Sequence, residues 1–439
     1  MNGPFDTRVL IGANHGCPGG GVRSAGGWTV GAVIAVVAAM VCVTACADDT
    51  TDGGGDGGGG QAGTATTRLV AIGTDYAASA VSSVDLATSA ALASTFLHSG
   101  TAVATISTAL SGDVVASSNP TPDGRLLLID RANAVLTWVR DLEVEAQMNV
   151  GTGFYANPQD ALQTDASHMY VVRGQSNPAA TADAGDLDEG DDLLVVDPAA
   201  GAAVSRIDLH AHATLAGANA FGGRLGWDGQ RVWVPLGSVA PDFMSMGKGR
   251  LVAVDVAAGA VVATVDLPQS KNCTEAVWLA ASNQVAVVCS GSFQETVGIQ
   301  ADFSNIVIID AAAEPPTAAL AVKAAATGTG RPFGAHLGLI DAASGLVATT
   351  GDFGSGAPDL IWRVDLTAGA VHLAAAAGGA FAIGGLFADR ARQRIWVAET
   401  GHAAGDLRVF DLSGAATPTE LPAVSSNPGG LGAWELGSY

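Results

Sequence analysis

Short apolar runs of four to seven residues, each bounded by turn residues, recur along most of the chain. Seven of them close on an aspartate: the runs at 81–85, 126–130, 193–197, 251–255, 306–310, 360–365 and 408–411 end in Asp85, Asp130, Asp197, Asp255, Asp310, Asp365 and Asp411. Their mean spacing is about 54 residues, the size of one blade in a β-propeller. No long amphipathic helical stretch interrupts the pattern, and short bounded runs of this kind read as strands. Each aspartate-ended run is taken as the third strand of a four-stranded blade. Second strands are expected at 68–72, 113–116, 168–172, 231–234, 284–288, 345–348 and 394–397, and outer strands at 91–97, 135–142, 203–209, 260–267, 317–322, 370–373 and 417–424. The pattern predicts an all-β chain, a seven-bladed β-propeller over residues 67–439.

First strands are clearest in the later blades, at 224–229, 276–279, 336–340 and 383–387. Blade one has none before Arg68, whereas a spare strand of that kind stands at 431–436. Ring closure is the natural expectation: the C-terminal strand completes the first blade and removes two sheet edges. Seven aspartates at equivalent strand ends read as turn acceptors of backbone N–H groups rather than as catalytic carboxylates.

The N-terminus has a different texture. The stretch at 28–43 is almost wholly apolar, follows Arg8 and Arg23, and leads into Val43-Thr44-Ala45-Cys46. It is shorter than the roughly 20 residues of a membrane span. Small residues ahead of a cysteine resemble the lipobox of bacterial lipoproteins. The resemblance implies a signal peptide at 1–45, cleavage before Cys46 and lipid on that cysteine, with an uncleaved anchor or an ordinary signal peptide as the alternatives. Residues 46–66 carry a Gly/Asp/Thr tract that has no means of forming a core, and it reads as a tether. The expected location is the bacterial cell envelope, lipid-anchored and extracytoplasmic, with the outer membrane plausible because Ala47 stands where some inner-membrane lipoproteins carry aspartate.

Composition sharpens this. The chain has 439 residues, 48% hydrophobic and only 14% charged, with a formal net charge of −22. Its only lysines are Lys248, Lys271 and Lys323. Such a field repels nucleic acid and other polyanions, so nucleic acid is excluded as a partner. The expected partners are the membrane, through the lipid, and a protein or small molecule on the loop face; the chain is expected to be monomeric. Cys273 precedes one strand and Cys289 closes the next, so a tight turn near Ser282 sets them opposite each other in a hairpin. A disulfide is expected in an oxidising compartment, with two buried free thiols as the alternative.

Blade three shows Asn157-Pro158, then Met169-Tyr-Val-Val172, the run ending in Asp197, and Ala203-Val-Ser-Arg-Ile-Asp-Leu209. Blade four shows Val232-Trp-Val234 and Val261-Val-Ala-Thr-Val265. These resemble YVTN-type repeats. The resemblance spans roughly 68–436 and implies the propeller fold. Propellers of this kind include lactonase-like enzymes, quinoprotein-dehydrogenase-like subunits and surface proteins, so it leaves function open. The reading that fits the chain best is a binding or scaffold module, with a lactonase-like or quinoprotein-like enzyme as the alternative.

Candidate chemistry falls in the irregular loops between second and third strands, which share a face with the connections between blades. The loop at 174–190 and its exit gather Asp183, Asp186, Asp188, Glu189 and Asp191, oxygen donors of the kind that wrap calcium, though without the EF-hand pattern; the bland reading is a solvated acidic loop. Calcium is the one cofactor for which the sequence offers ligands. His210, His212, His336 and His402 are all expected on the same face, where they would bind a transition metal if they converge. No nucleophile elbow and no phosphate-binding glycine loop is present, and no catalytic residue is assigned.

Overall fold

The computed structural model describes residues 68–439 except 76, 100–109, 181–186, 293–296, 401–405, 415–416 and 427. The expected leader, Cys46 and the tether therefore lie outside the described residues. Within them the strands form seven four-stranded antiparallel sheets. Six sheets are built from consecutive strands; the seventh adds the C-terminal strand Ala433–Ser438 to Arg68–Thr74, Ser79–Asp85 and Ala90–His98. The closing strand runs antiparallel to Arg68–Thr74, with Leu69 opposite Ser438 and Ala71 opposite Leu436. The protein is a seven-bladed β-propeller whose last strand completes the first blade.

The burial pattern explains the sequence pattern. Middle strands are covered on both faces by neighbouring blades, so runs such as Leu251–Asp255 within Arg250–Asp255 are buried almost throughout. Outer strands such as Ala260–Asp266 alternate exposed and half-buried positions, because their outer edge meets water. The apolar core is divided accordingly. Seven clusters each join residues of two adjacent blades, and one of them packs Leu69, Val84 and Leu436 of blade one against Phe387 and Trp396 of blade seven. Ring closure thus buries a seventh apolar interface as well as pairing two edges.

Six of the seven aspartates end third strands and accept turn amides. Asp85 takes the Thr88 N–H at 2.7 Å, Asp255 that of Ala258 at 2.7 Å, and Asp365 that of Ala368 at 2.9 Å. Blade two differs. Its strands are Val114–Ala116, Leu126–Asp130, Val135–Arg140 and Glu143–Asn149, so Asp130 ends the second strand and the segment expected as one outer strand at 135–142 is the third strand with its turn. The reversal is a two-residue turn, Asp141-Leu142, with both residues left-handed at φ 49° and 68°. Leucine carries no turn signal and pays a steric penalty there, which is why the pattern conceals it. Asp130 also accepts its turn amide, that of Asn133 at 3.0 Å, and adds the Ser111 N–H and hydroxyl at 2.8 and 2.7 Å.

Cys273 and Cys289 face each other in the pairing of Cys273–Leu279 with Gln284–Ser290 and are joined as a disulfide.

Candidate functional site

The first strands of the blades meet at the middle of the ring, and the middle is filled. Arg224, just ahead of the short inner strand Gly226–Trp227 of blade four, is 1% exposed. Its guanidinium donates to the Ala116 carbonyl of blade two at 2.9 Å and to the Glu435 carboxylate of blade one, and it lies 3.9 Å from Asp160 of blade three. Asp160 accepts the Ser118 N–H and hydroxyl of blade two and the Leu225 N–H at 2.8 Å. On the other side Glu275 of blade five accepts the Leu337 N–H of blade six at 3.0 Å and lies 3.8 Å from His336 Nδ1. One arginine and three carboxylates, all buried, thus connect blades one to six. Burial pushes the Asp160 carboxyl up, against the opposing pull of Arg224 and the Leu225 amide.

Backbone closes what side chains leave. Arg224 and Glu275 form a parallel bridge between blades four and five. A Cβ on Gly223 would overlap the Thr274 carbonyl, and one on Gly384 of blade seven would overlap the Trp434 carbonyl of blade one. Only a residue without a side chain allows that approach. Beside His336, between blades six, seven and one, a cavity of about 20 Å³ remains, room for about one water. Toward the opposite mouth Arg390 of blade seven donates to the Leu339 carbonyl of blade six at 3.1 Å and the Trp278 carbonyl of blade five at 2.8 Å.

The loop face holds most of the residues singled out from the sequence, and the structure separates them. Asp183, Asp186 and His402 lie outside the described residues. Asp188 accepts from Asn177 at 3.4 Å, and Glu189 pairs with Arg206. Asp191 is buried and accepts the Ala220 N–H at 2.8 Å, the Phe221 N–H at 3.1 Å and His210 Nδ1 at 2.8 Å. Its neighbour Asp192 is held by Arg173 through two bonds of 2.7 and 2.6 Å, both side chains fully buried. The carboxylates diverge into structural bonds. The histidines diverge too: His212 reaches Thr264 on an outer strand, whereas His336 faces the ring centre. Among the described residues no group of three or more His, Cys, Asp or Glu side chains is placed to hold a metal ion.

The structure adds a recurrent device. Asp359 at the entry to the third strand of blade six accepts the Gly351, Phe381 and Ile383 N–H groups at 2.5, 2.8 and 2.8 Å. Asp191 does the same in blade three, and Ser304 in blade five accepts the Phe333 N–H at 2.8 Å. In each case a third-strand entry holds the connection into the next blade. Phe221 and Phe381, both left-handed at φ 51° and 54°, mark the connections held by the two aspartates. Burial pushes both aspartates up, opposed by the amides they accept. A signal was present: Asp191, Ser304 and Asp359 each stand six residues before the strand-ending aspartate.

Exposed apolar tips populate the loop face. Phe353 is 62% exposed in the second-to-third-strand loop of blade six and stacks on Phe381 with centroids 4.6 Å apart. Tyr155 and Met244, in loops, and Ile299, in the short helix Val297–Asp302, are exposed in connections on the same face.

No protein-family model matches the chain, and no curated protein matches it. Among solved structures it is similar to the periplasmic gluconolactonase of Pseudomonas aeruginosa, at 13% identity and TM-score 0.53, covering 84% of this chain and 98% of that one. It is similar to hydrazine synthase of Kuenenia stuttgartiensis, at 13% identity and TM-score 0.50, covering 82% and 99%. A functionally unknown protein from Desulfotomaculum acetoxidans matches at 10% identity and TM-score 0.50, over 85% and 99%. At these identities the likeness establishes the propeller fold and nothing about chemistry.

Proposed function

We propose that the protein is a lipid-anchored, extracytoplasmic propeller that serves as a binding module and meets its partner on the loop face. The observation that carries this reading is the filled centre. An enzyme working at the ring axis needs a pocket of several hundred Å³ with convergent polar groups. Here the polar groups converge on one another, around a guanidinium shut off from water. That favours a surface role over a lactonase-like or quinoprotein-like reaction on the axis. The exposed tips at Tyr155, Met244, Ile299 and Phe353 supply the apolar anchors that protein interfaces use. The apolar leader, Cys46 and the Gly-rich segment support the anchor.

Two experiments test the reading. Palmitate labelling of the wild type, lost in Cys46→Ser, is the expected result for the anchor; label that survives the substitution contradicts it. For the loop face, a photo-crosslinking residue is placed at Phe353 or, as a control, at Val262 on an outer strand, in cells. A discrete adduct from position 353 alone supports the proposal, and equal yields from both positions contradict it.

A further inference from the structure

A groove of about 680 Å³ lies between blades three and four on the face opposite the loop face. Its walls come from three turns. Thr164, Asp165 and His168 belong to the first turn of blade three; Trp227, Gly229 and Gln230 to the first turn of blade four; Asp255, Val256 and Ala257 to the last turn of blade four. The volume is that of a small-molecule site. Trp227 packs on the apolar core between the two blades and also lines the groove, so an aromatic wall is fixed by packing from behind.

The groove is lined by two carboxylates, Asp165 and Asp255, with the imidazole of His168 set on the first. Asp165 accepts the Ser167 N–H at 2.7 Å and His168 Nδ1 at 2.9 Å. Burial pushes its carboxyl up, but these bonds outweigh burial and hold it below the usual carboxylate range. Asp255 lines the same groove and accepts one turn amide, that of Ala258 at 2.7 Å. No lysine or arginine stands among the lining residues. The nearest arginine in sequence, Arg231, is turned away: it pairs with Asp228 at 2.9 Å, donates to the Ala311 carbonyl at 3.0 Å and lies over the Trp233 ring. Behind the groove, the buried Tyr170 phenol is pushed up to about 12, by burial first and then by the carboxylates of Asp165 and Asp255. The negative potential of both aspartates therefore falls on one region.

We propose that this groove binds a small organic amine, its ammonium between Asp165 and Asp255 and its apolar body against Trp227. Two carboxylates with no lysine or arginine in the lining, beside a fixed aromatic face, match an alkylammonium in charge and in shape. The net charge of −22 adds long-range attraction for a cation. His168 stays on Asp165 at the rim and orients that carboxylate. This site does not depend on the lipid anchor or on a partner at the loop face.

Calorimetric titration of the full chain at low salt with 4-phenylbutylamine tests the proposal, with 4-phenyl-1-butanol as the uncharged control. Saturable one-to-one binding of the amine is expected, with none of the alcohol. Asp165→Asn and Asp255→Asn should each weaken it about tenfold, which corresponds to about 1.4 kcal/mol. Gln230→Lys places a cation at an exposed rim position without touching either carboxylate or the core. It should abolish binding while leaving the melting temperature unchanged, which keeps the test valid if an aspartate variant folds poorly. Absence of saturable amine binding, equal binding of the alcohol, or undiminished binding in Gln230→Lys would overturn the proposal.

Discussion

Arg224 and Glu435, 211 residues apart, form a buried ion pair that joins blade four to the strand closing the ring. The pair links the last strand of the chain to its middle, so closure is fixed at the axis as well as along the edge of Arg68–Thr74. Removing one partner leaves the other charge buried, which costs about 3–5 kcal/mol. Arg224→Met and Glu435→Gln should each lower stability by that order. The double variant Arg224→Met/Glu435→Gln should lose less than the sum of the single losses. Denaturant unfolding in a double-mutant cycle measures the coupling; additive losses would show that the two residues act separately.

Deletion of 433–439 removes the closing strand with its pairing to Arg68–Thr74, and with it Leu436 from the core between blades seven and one. The truncated chain should melt well below the intact one and become sensitive to proteolysis in blade one. Equal melting of the two chains would mean that closure contributes nothing to stability.

Asp359 gives a pH dependence of defined sign. Burial raises its folded-state pKa above the unfolded value of about 3.9, despite the three amides it accepts. The folded state then binds the proton more tightly. The stability linked to this group is fully present below the unfolded pKa and is lost as pH rises through the folded pKa. Relative to Asp359→Asn, which does not titrate, the wild type should therefore gain stability as pH falls from 7 toward 4. Unfolding free energies of the two proteins across that range provide the check; a difference that shrinks on acidification would reverse the assignment.

The Cys273–Cys289 disulfide closes a loop of 16 residues, which restrains the unfolded chain by about 3 kcal/mol. Thiol titration of the unfolded protein should rise by two groups on reduction. The variant Cys273→Ser/Cys289→Ser should lose stability of that order, as measured by denaturant unfolding.

The ring was legible in the sequence because a propeller repeats one burial pattern. Middle strands, covered on both sides, are continuously apolar, and the third strand ends in an aspartate wherever the turn needs an acceptor. Blade two broke the pattern at Asp141-Leu142, where a left-handed leucine takes the second turn position that glycine usually fills. The centre was not legible. Arg224, Asp160, Glu275 and Glu435 lie in different repeats, and their pairing arises only when the ring closes. The acidic loop looked like a ligand cage because consecutive carboxylates share a sequence window. Asp191, left-handed at φ 49° where the strand pairing skips a residue, and Asp192, back in register beside it, bond to different partners.

The most direct measurement is hydrogen exchange at the Leu225 and Leu337 amides, which donate to Asp160 and Glu275 inside the ring. A filled centre predicts that both exchange only through global unfolding, with the slowest amides of the protein. Exchange of either amide as fast as that of the loop-face connections would mean that water reaches the axis, and would contradict the closed centre on which the account rests.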